Sequence, residues 1–95
     1  MSKFLFNTPV VATAGVYNKM TQEQKFNCWV TLCLVKHFSG DYGSIPTEEI
    51  EMNNEAIKNN IDRIFSVYVD DFGTKIYVIT DGIPRQTTVL FPSEY

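Results

Sequence analysis

Apolar and polar positions alternate most regularly in the last third of the chain. Residues 61–68 read I-D-R-I-F-S-V-Y, residues 70–80 read D-D-F-G-T-K-I-Y-V-I-T, and residues 81–92 read D-G-I-P-R-Q-T-T-V-L-F-P. Three β-rich runs joined by two turn signals predict an antiparallel meander. A turn through Asp70–Gly73, with Gly73 supplying a positive φ, sets Val69 opposite Thr74, Val67 opposite Ile76 and Phe65 opposite Val78. Pairing Thr80 with Thr87 in the second hairpin sets Val78 against Val89 and Ile76 against Phe91. One face then carries Phe65, Val67, Val69, Ile76, Val78, Val89 and Phe91, which reads as a core face. The other carries Ile64, Ser66, Tyr68, Lys75, Tyr77, Ile79, Thr88 and Leu90, too apolar for a plainly solvated surface. Either the N-terminal K-F-L-F segment (Phe4, Leu5, Phe6) or a second copy of the chain would cover that face. The expected homodimer buries Tyr68, Tyr77, Ile79 and Leu90 across a two-fold axis.

Upstream the period changes. Pro9 to Val16 reads as a first strand, with Gly15 marking a bulge or a close backbone approach. Thr21–Gln24, T-Q-E-Q, has the form of a capping box and predicts a helix running to about Phe38. Phe26, Trp29, Val30, Cys33 and Leu34 recur at helical spacing, and Leu32 and Val35 widen the stripe. Trp29 is expected to pack on the Phe65/Val67/Val78 face. Lys36 and His37 suit a C-terminal turn, with Gly40 as the stop. Ser39–Pro46, S-G-D-Y-G-S-I-P, is a loop. A second helix follows, with Thr47 as N-cap, Glu48, Glu49 and Glu51 in its first turn, Ile50, Ile57 and Ile61 near one face, and Asn59 and Asn60 at its end. The expected fold is one α+β domain over residues 1–95: strand, two helices, then a three-stranded meander, with the helices on one sheet face and the first strand paired to a meander edge.

Size and charge narrow the function. A chain of 95 residues buries roughly 60–65% of its unfolded surface, enough for one modest core. The formal net charge of −3 leaves no basic footprint for nucleic-acid backbone binding. It is also too small to suggest a nucleic-acid mimic. No segment reaches the ~20 apolar residues of a membrane span, and the first residues are too short an apolar run for a signal peptide. Cys28 and Cys33 lie five apart on the first helix, point to different sides and cannot pair, so both are expected as free buried thiols of a reducing cytoplasm.

Catalytic and cofactor signals are weak. His37 is the only histidine, and nothing in the sequence sets Cys28 or Cys33 beside it with a third, orienting group. Cys28, Cys33 and His37 spread around the helix instead of gathering as metal ligands. The phosphate-loop pattern is missing, and the Glu48–Glu55 carboxylates belong to a helix start. No catalytic residue, cofactor or metal is assigned. Binding candidates are better. In S-G-D-Y-G, Gly40 and Gly43 let the backbone approach a ligand while Asp41 and Tyr42 point outward; the competing reading is a helix connection in which Asp41 makes an Asx turn and Tyr42 packs. Arg63, Lys75 and Arg85 lie on or beside the sheet. With Tyr68, Tyr77 and Thr88 they make a cationic, aromatic surface for an anionic small ligand or an acidic partner; the competing reading is isolated solvated charges.

The strings S-G-D-Y-G, N-N-E, R-I-F-S-V-Y, G-T-K-I-Y-V-I-T and T-T-V-L-F-P-S-E-Y resemble a family of short proteins encoded by plasmids, phages and other bacterial mobile elements. These are usually called plasmid-related proteins, and some are labelled restriction endonuclease subunit M, although no methyltransferase motif fits in so few residues. The resemblance spans roughly Val10 to Tyr95. Departures are Tyr42 and Tyr77, where the family often has Trp, and Ile83–Gln86, I-P-R-Q, where it has D-R-S, which shifts the arginine at Arg85. The resemblance implies a bacterial cytoplasm, a mobile-element setting and no known enzyme activity. The expectation is a non-enzymatic protein that binds a host protein, with interference with host defence as its setting. The alternative is a binder that sequesters an anionic, nucleotide-like signal.

Overall fold

The computed structural model describes residues 9–59, 63–82 and 85–95, with side chains 57–59 excepted. Phe4, Leu5, Phe6, Asn60, Ile61, Ile83 and Pro84, and the side chain of Ile57, therefore lie outside the described residues. The elements are β1 (Val10–Ala12), α1 (Ala14–Gln22), α2 (Gln24–Ser39), α3 (Thr47–Asn59), β2 (Ile64–Val69), β3 (Lys75–Asp81), β4 (Gln86–Leu90) and a 3-10 turn over Pro92–Glu94. The sheet has the order β1-β4-β3-β2. The meander is antiparallel and β1 joins it in parallel on β4. This is an α+β fold, with helices packed on the sheet.

The second hairpin has the expected register: Thr80 pairs with Thr87 and Val78 with Val89. The first is shifted by one residue. Val69 pairs with Lys75, Val67 with Tyr77 and Phe65 with Ile79. The cause is the turn. Gly73 N–H donates to Asp70 O at 3.1 Å, Gly73 sits at φ 82°, and Asp70 N–H donates to Thr74 O at 2.9 Å. The Asp70 carboxylate accepts from the N–H groups of Phe72 and Thr74. This is a three-residue loop with a left-handed glycine, one residue longer than the tight turn expected. Because side chains alternate strictly, that residue turns all of β2 over. Ile64, Ser66 and Tyr68 therefore face the helices with Ile76, Val78 and Val89, while Phe65, Val67 and Val69 face away.

The helical layer also differs from expectation. The predicted strand over Pro9–Val16 stops at Ala12, and α1, which the sequence did not suggest, follows at once. Its N-terminus is capped from the far end of the chain. Glu94 accepts from the Thr13 hydroxyl at 2.5 Å and from the N–H groups of Gly15 and Phe91, each at 3.0 Å. A Cβ on Gly15 would stand 2.7 Å from the Glu94 carboxylate, so its close neighbour is a side chain at a helix start, not the strand bulge or backbone contact expected. The capping box is not formed: Thr21 lies inside α1 and its hydroxyl donates to Asn18 O. The break before α2 falls at Glu23, which is extended and ion-paired to Lys19 at 2.8 Å. Val16, Phe26, Val30 and Cys33 pack on Tyr68, Ile76, Val78 and Val89 as the main core, with Trp29 half-buried at its margin instead of on Phe65 and Val67.

At its end α2 closes with a Schellman motif, in which Gly40 N–H donates to His37 O and Asp41 N–H to Lys36 O. The chain then crosses the open edge of β2. Val67 N–H donates to Tyr42 O at 3.1 Å and Ser44 N–H to Val67 O at 2.8 Å, a parallel bridge through Gly43. One step along the same edge, Asn53 of α3 imitates a strand: its amide donates to Phe65 O at 2.8 Å and accepts from Phe65 N–H at 3.0 Å. The outward backbone groups of Phe65 and Val67 are thus satisfied, which protects an edge otherwise open to stray pairing.

Two glycines with positive φ separate strain from space. A Cβ on Gly43 would sit 1.9 Å from Val67 O, whereas one on Gly73 meets nothing within 4 Å. Gly73→Ala should cost about 1 kcal/mol, the left-handed penalty alone. Gly43→Ala should cost at least about 2 kcal/mol more, because backbone must move. Urea unfolding of the two variants measures the difference, and equal costs would contradict the close approach.

Candidate functional site

His37 is fully buried between α2 and the sheet. Its Nδ1 lies 2.5 Å from Ser66 Oγ and its Nε2 2.9 Å from Thr80 Oγ1, and Thr80 Oγ1 lies 2.8 Å from Thr87 Oγ1. The ring meets Phe38 and Tyr42 edge-on at 5.6 and 6.3 Å. A neutral imidazole offers one donor and one acceptor, and rotating hydroxyls suit either tautomer. Burial pushes its pKa down to about 4, since desolvation penalises the imidazolium. His37 does lie in the C-terminal turn of α2, as expected, but as a neutral group buried in the core. Ser66 beside it is also fully buried. Cys33 is buried, and burial pushes its thiol up to about 12. Cys28 is exposed, against expectation. Among the described residues no three His, Cys, Asp or Glu side chains gather to hold a metal ion.

The loop candidates serve the fold. Asp41 makes the Asx turn, accepting from Gly43 N–H at 3.2 Å. Tyr42 is only 3% exposed. It packs on Ala56 and Ile64 and donates its hydroxyl to Asn54 Oδ1. Burial raises its pKa. Tyr68, placed on the outer face by the expected register, faces the helices instead and donates to Asp41 O at 2.6 Å; burial raises its pKa as well.

The three cations do not converge. Arg85 reaches back to α3, donating to Ala56 O at 3.4 Å in that helix's last turn. Lys75 is at the Val69 end of the β2–β3 pair and Arg63 at the other, about 20 Å away at the rise of a strand. What Arg63 does join is an aromatic cluster on the outer sheet face. Its guanidinium lies 5.5 Å from the Phe65 ring centre and 5.6 Å from that of Tyr95, and it donates to the Tyr95 hydroxyl. Phe65 and Tyr77 stand 5.0 Å apart, and Tyr77 and Tyr95 meet edge-on at 5.8 Å. Thr88 shares this face, opposite Ile79. The patch thus keeps Arg63, Tyr77 and Thr88 from the predicted set and adds Phe65 and Tyr95. Phe65 was assigned to the wrong face by the register shift. Tyr95 is brought in by the 3-10 turn that Glu94 anchors, a contact with no local signal. On the same face Ile79 and Leu90 are 6% exposed within a single chain, which removes the main reason given for a dimer there.

No helix among the described residues is long and apolar enough to cross a membrane. Comparison of the chain with protein-family models, with curated proteins and with solved structures finds no match.

His37 makes stability depend on pH with a definite sign. Its pKa is lower folded (about 4) than unfolded (6.5), so the unfolded state takes up the proton first as pH falls. Stability is complete above pH 6.5 and declines toward pH 4, by roughly 3 kcal/mol in all. Glu94, whose carboxyl is held below its ordinary value chiefly by the Thr13 hydroxyl, adds loss of the same sign at the acid end. Urea unfolding between pH 7.5 and 4.5 tests this, with His37→Gln expected to flatten the slope. A wild-type curve that is level over that range would contradict the buried neutral ring.

Proposed function

We propose that this chain is a non-enzymatic binding protein of a bacterial phage or plasmid that acts on a host protein in the cytoplasm, with interference with host defence as its setting. The observation that supports it is the division between inside and outside. The nucleophilic and acid–base groups His37, Ser66 and Cys33 are committed to the core, while the outer sheet face presents Arg63, Tyr77 and the 64%-exposed Tyr95. Arginine and tyrosine are the side chains that dominate protein–protein contacts, because they combine apolar area with directed donors. The mobile-element setting rests on the motif resemblance alone. The small-anion reading keeps the Arg63 stack as its support and loses the convergence of Lys75 and Arg85. Of the residues expected at its interface, the homodimer reading keeps Tyr77 on the outer face and loses Tyr68.

Affinity capture from a bacterial lysate with the wild type and with Tyr77→Glu tests the proposal. A host protein retained by the wild type and lost from the variant is the expected result, and light scattering on both gives the oligomeric state. Retention of the same proteins by both would contradict the outer face as the contact surface. A co-purified ultraviolet-absorbing ligand released by Arg63→Ala would favour the small-anion reading instead.

A further inference from the structure

The side of α2 that faces away from the sheet carries apolar residues of its own. Cys28, Leu32 and Val35 follow one another at i, i+4 and i+7 and fall within about 60° of arc at 100° per residue. They form a continuous apolar seam; Leu32 is 51% and Val35 49% exposed. Lys25 and Lys36, both exposed, lie on one flank of the seam, and the exposed Gln24, Thr31 and Asn27 lie on the other. In a chain of net charge −3, α2 carries no acidic residue at all. The seam therefore has a neutral flank and a cationic flank.

We propose that this seam docks an amphipathic helix of another protein, one with an apolar stripe flanked on one side by carboxylates. The charge pattern favours that occupant over a second copy of this chain, since a parallel pair would set each cationic flank against a neutral one and form no ion pair. In a two-fold antiparallel helix pair, like flanks face each other. Lys25 and Lys36 of one copy would then oppose the same lysines of the other, and the like charges repel. A partner with Glu or Asp on the facing flank turns those contacts into ion pairs. The seam lies on the opposite side of the domain from the Arg63–Tyr77–Tyr95 patch, because α2 faces the inner sheet surface through Val30 and Cys33. It is a second surface, independent of the one proposed above.

The probe is a synthetic peptide of about 18 residues, roughly five helical turns, with leucines on the seam and glutamates on one flank. Labelled-peptide anisotropy and the fluorescence of Trp29, the single tryptophan, report binding. Saturable binding is expected to weaken by about tenfold or more in Leu32→Glu, and to weaken in Lys25→Glu and with added salt. Tyr77→Glu should bind the peptide as the wild type does. Leu32 and Val35 point outward, so equal melting temperatures verify the variants' folding. No saturable binding by the wild type, or Leu32→Glu binding as well as wild type, would overturn the proposal. So would a wild-type dimer that Leu32→Glu dissolves, which would give the seam to a second copy. Loss of peptide binding in Tyr77→Glu would move the contact to the outer sheet face and overturn it equally.

Discussion

A neutral imidazole sealed in an apolar layer must find partners for both nitrogens, and in this chain that requirement ties one helix to three strands. His37 hangs from the last turn of α2, Ser66 rises from β2, and Thr80 and Thr87 from β3 and β4. A buried polar group without a partner costs about 1–3 kcal/mol. Sliding any of these strands by one residue would set a neighbour such as Phe65 or Ile79 against the ring. The polar cluster thus holds in place the register that the Asp70–Gly73 turn and the matched apolar positions set. Among the described residues, every buried side-chain nitrogen or oxygen has a partner.

The same economy governs the edges. The β2 edge is closed by the Asn53 amide and by the bridge through Gly43, and the S-G-D-Y-G string reads residue by residue as structure. It supplies the end of a helix, a left-handed glycine, an Asx turn, a packed tyrosine and a glycine pressed on a carbonyl. The Glu94 carboxylate joins the two ends of the described chain by capping α1. With these groups committed inside, the two contact surfaces proposed above both face outward. One is the aromatic Arg63 patch on the sheet and the other is the Leu32 seam on α2.

Much of the fold was legible because it rests on local signals. Alternation marked the three meander strands, helical spacing marked α2, and Gly40 marked its end. The second hairpin register followed from matched apolar positions. The first did not, because D-D-F-G suits a two-residue turn and a three-residue loop with a glycine bulge equally well. The difference lies in Asp70 reaching Thr74 N–H, a geometric detail. One loop residue then exchanged Tyr68 for Phe65 on the outer face, while Tyr77 and Thr88 stayed where the alternation put them. The helix α1 was hidden because its N-terminal acceptor comes from Glu94, far along the chain. His37 was read only as part of a helix C-terminal turn, because its partners are on strands distant in sequence. Placement was hidden from the sequence wherever it depends on what distant parts of the chain bring together.

The most direct measurement is a chemical-shift titration of the His37 ring, unambiguous because the chain has one histidine. The ring is expected to stay neutral through the physiological range and to begin protonating only as pH approaches 4, together with loss of the fold. Titration near 6.5 with the fold intact would place the imidazole in solvent. It would then be free to act as an acid or base, and both the structural role given to it and the non-enzymatic reading built on that role would fail.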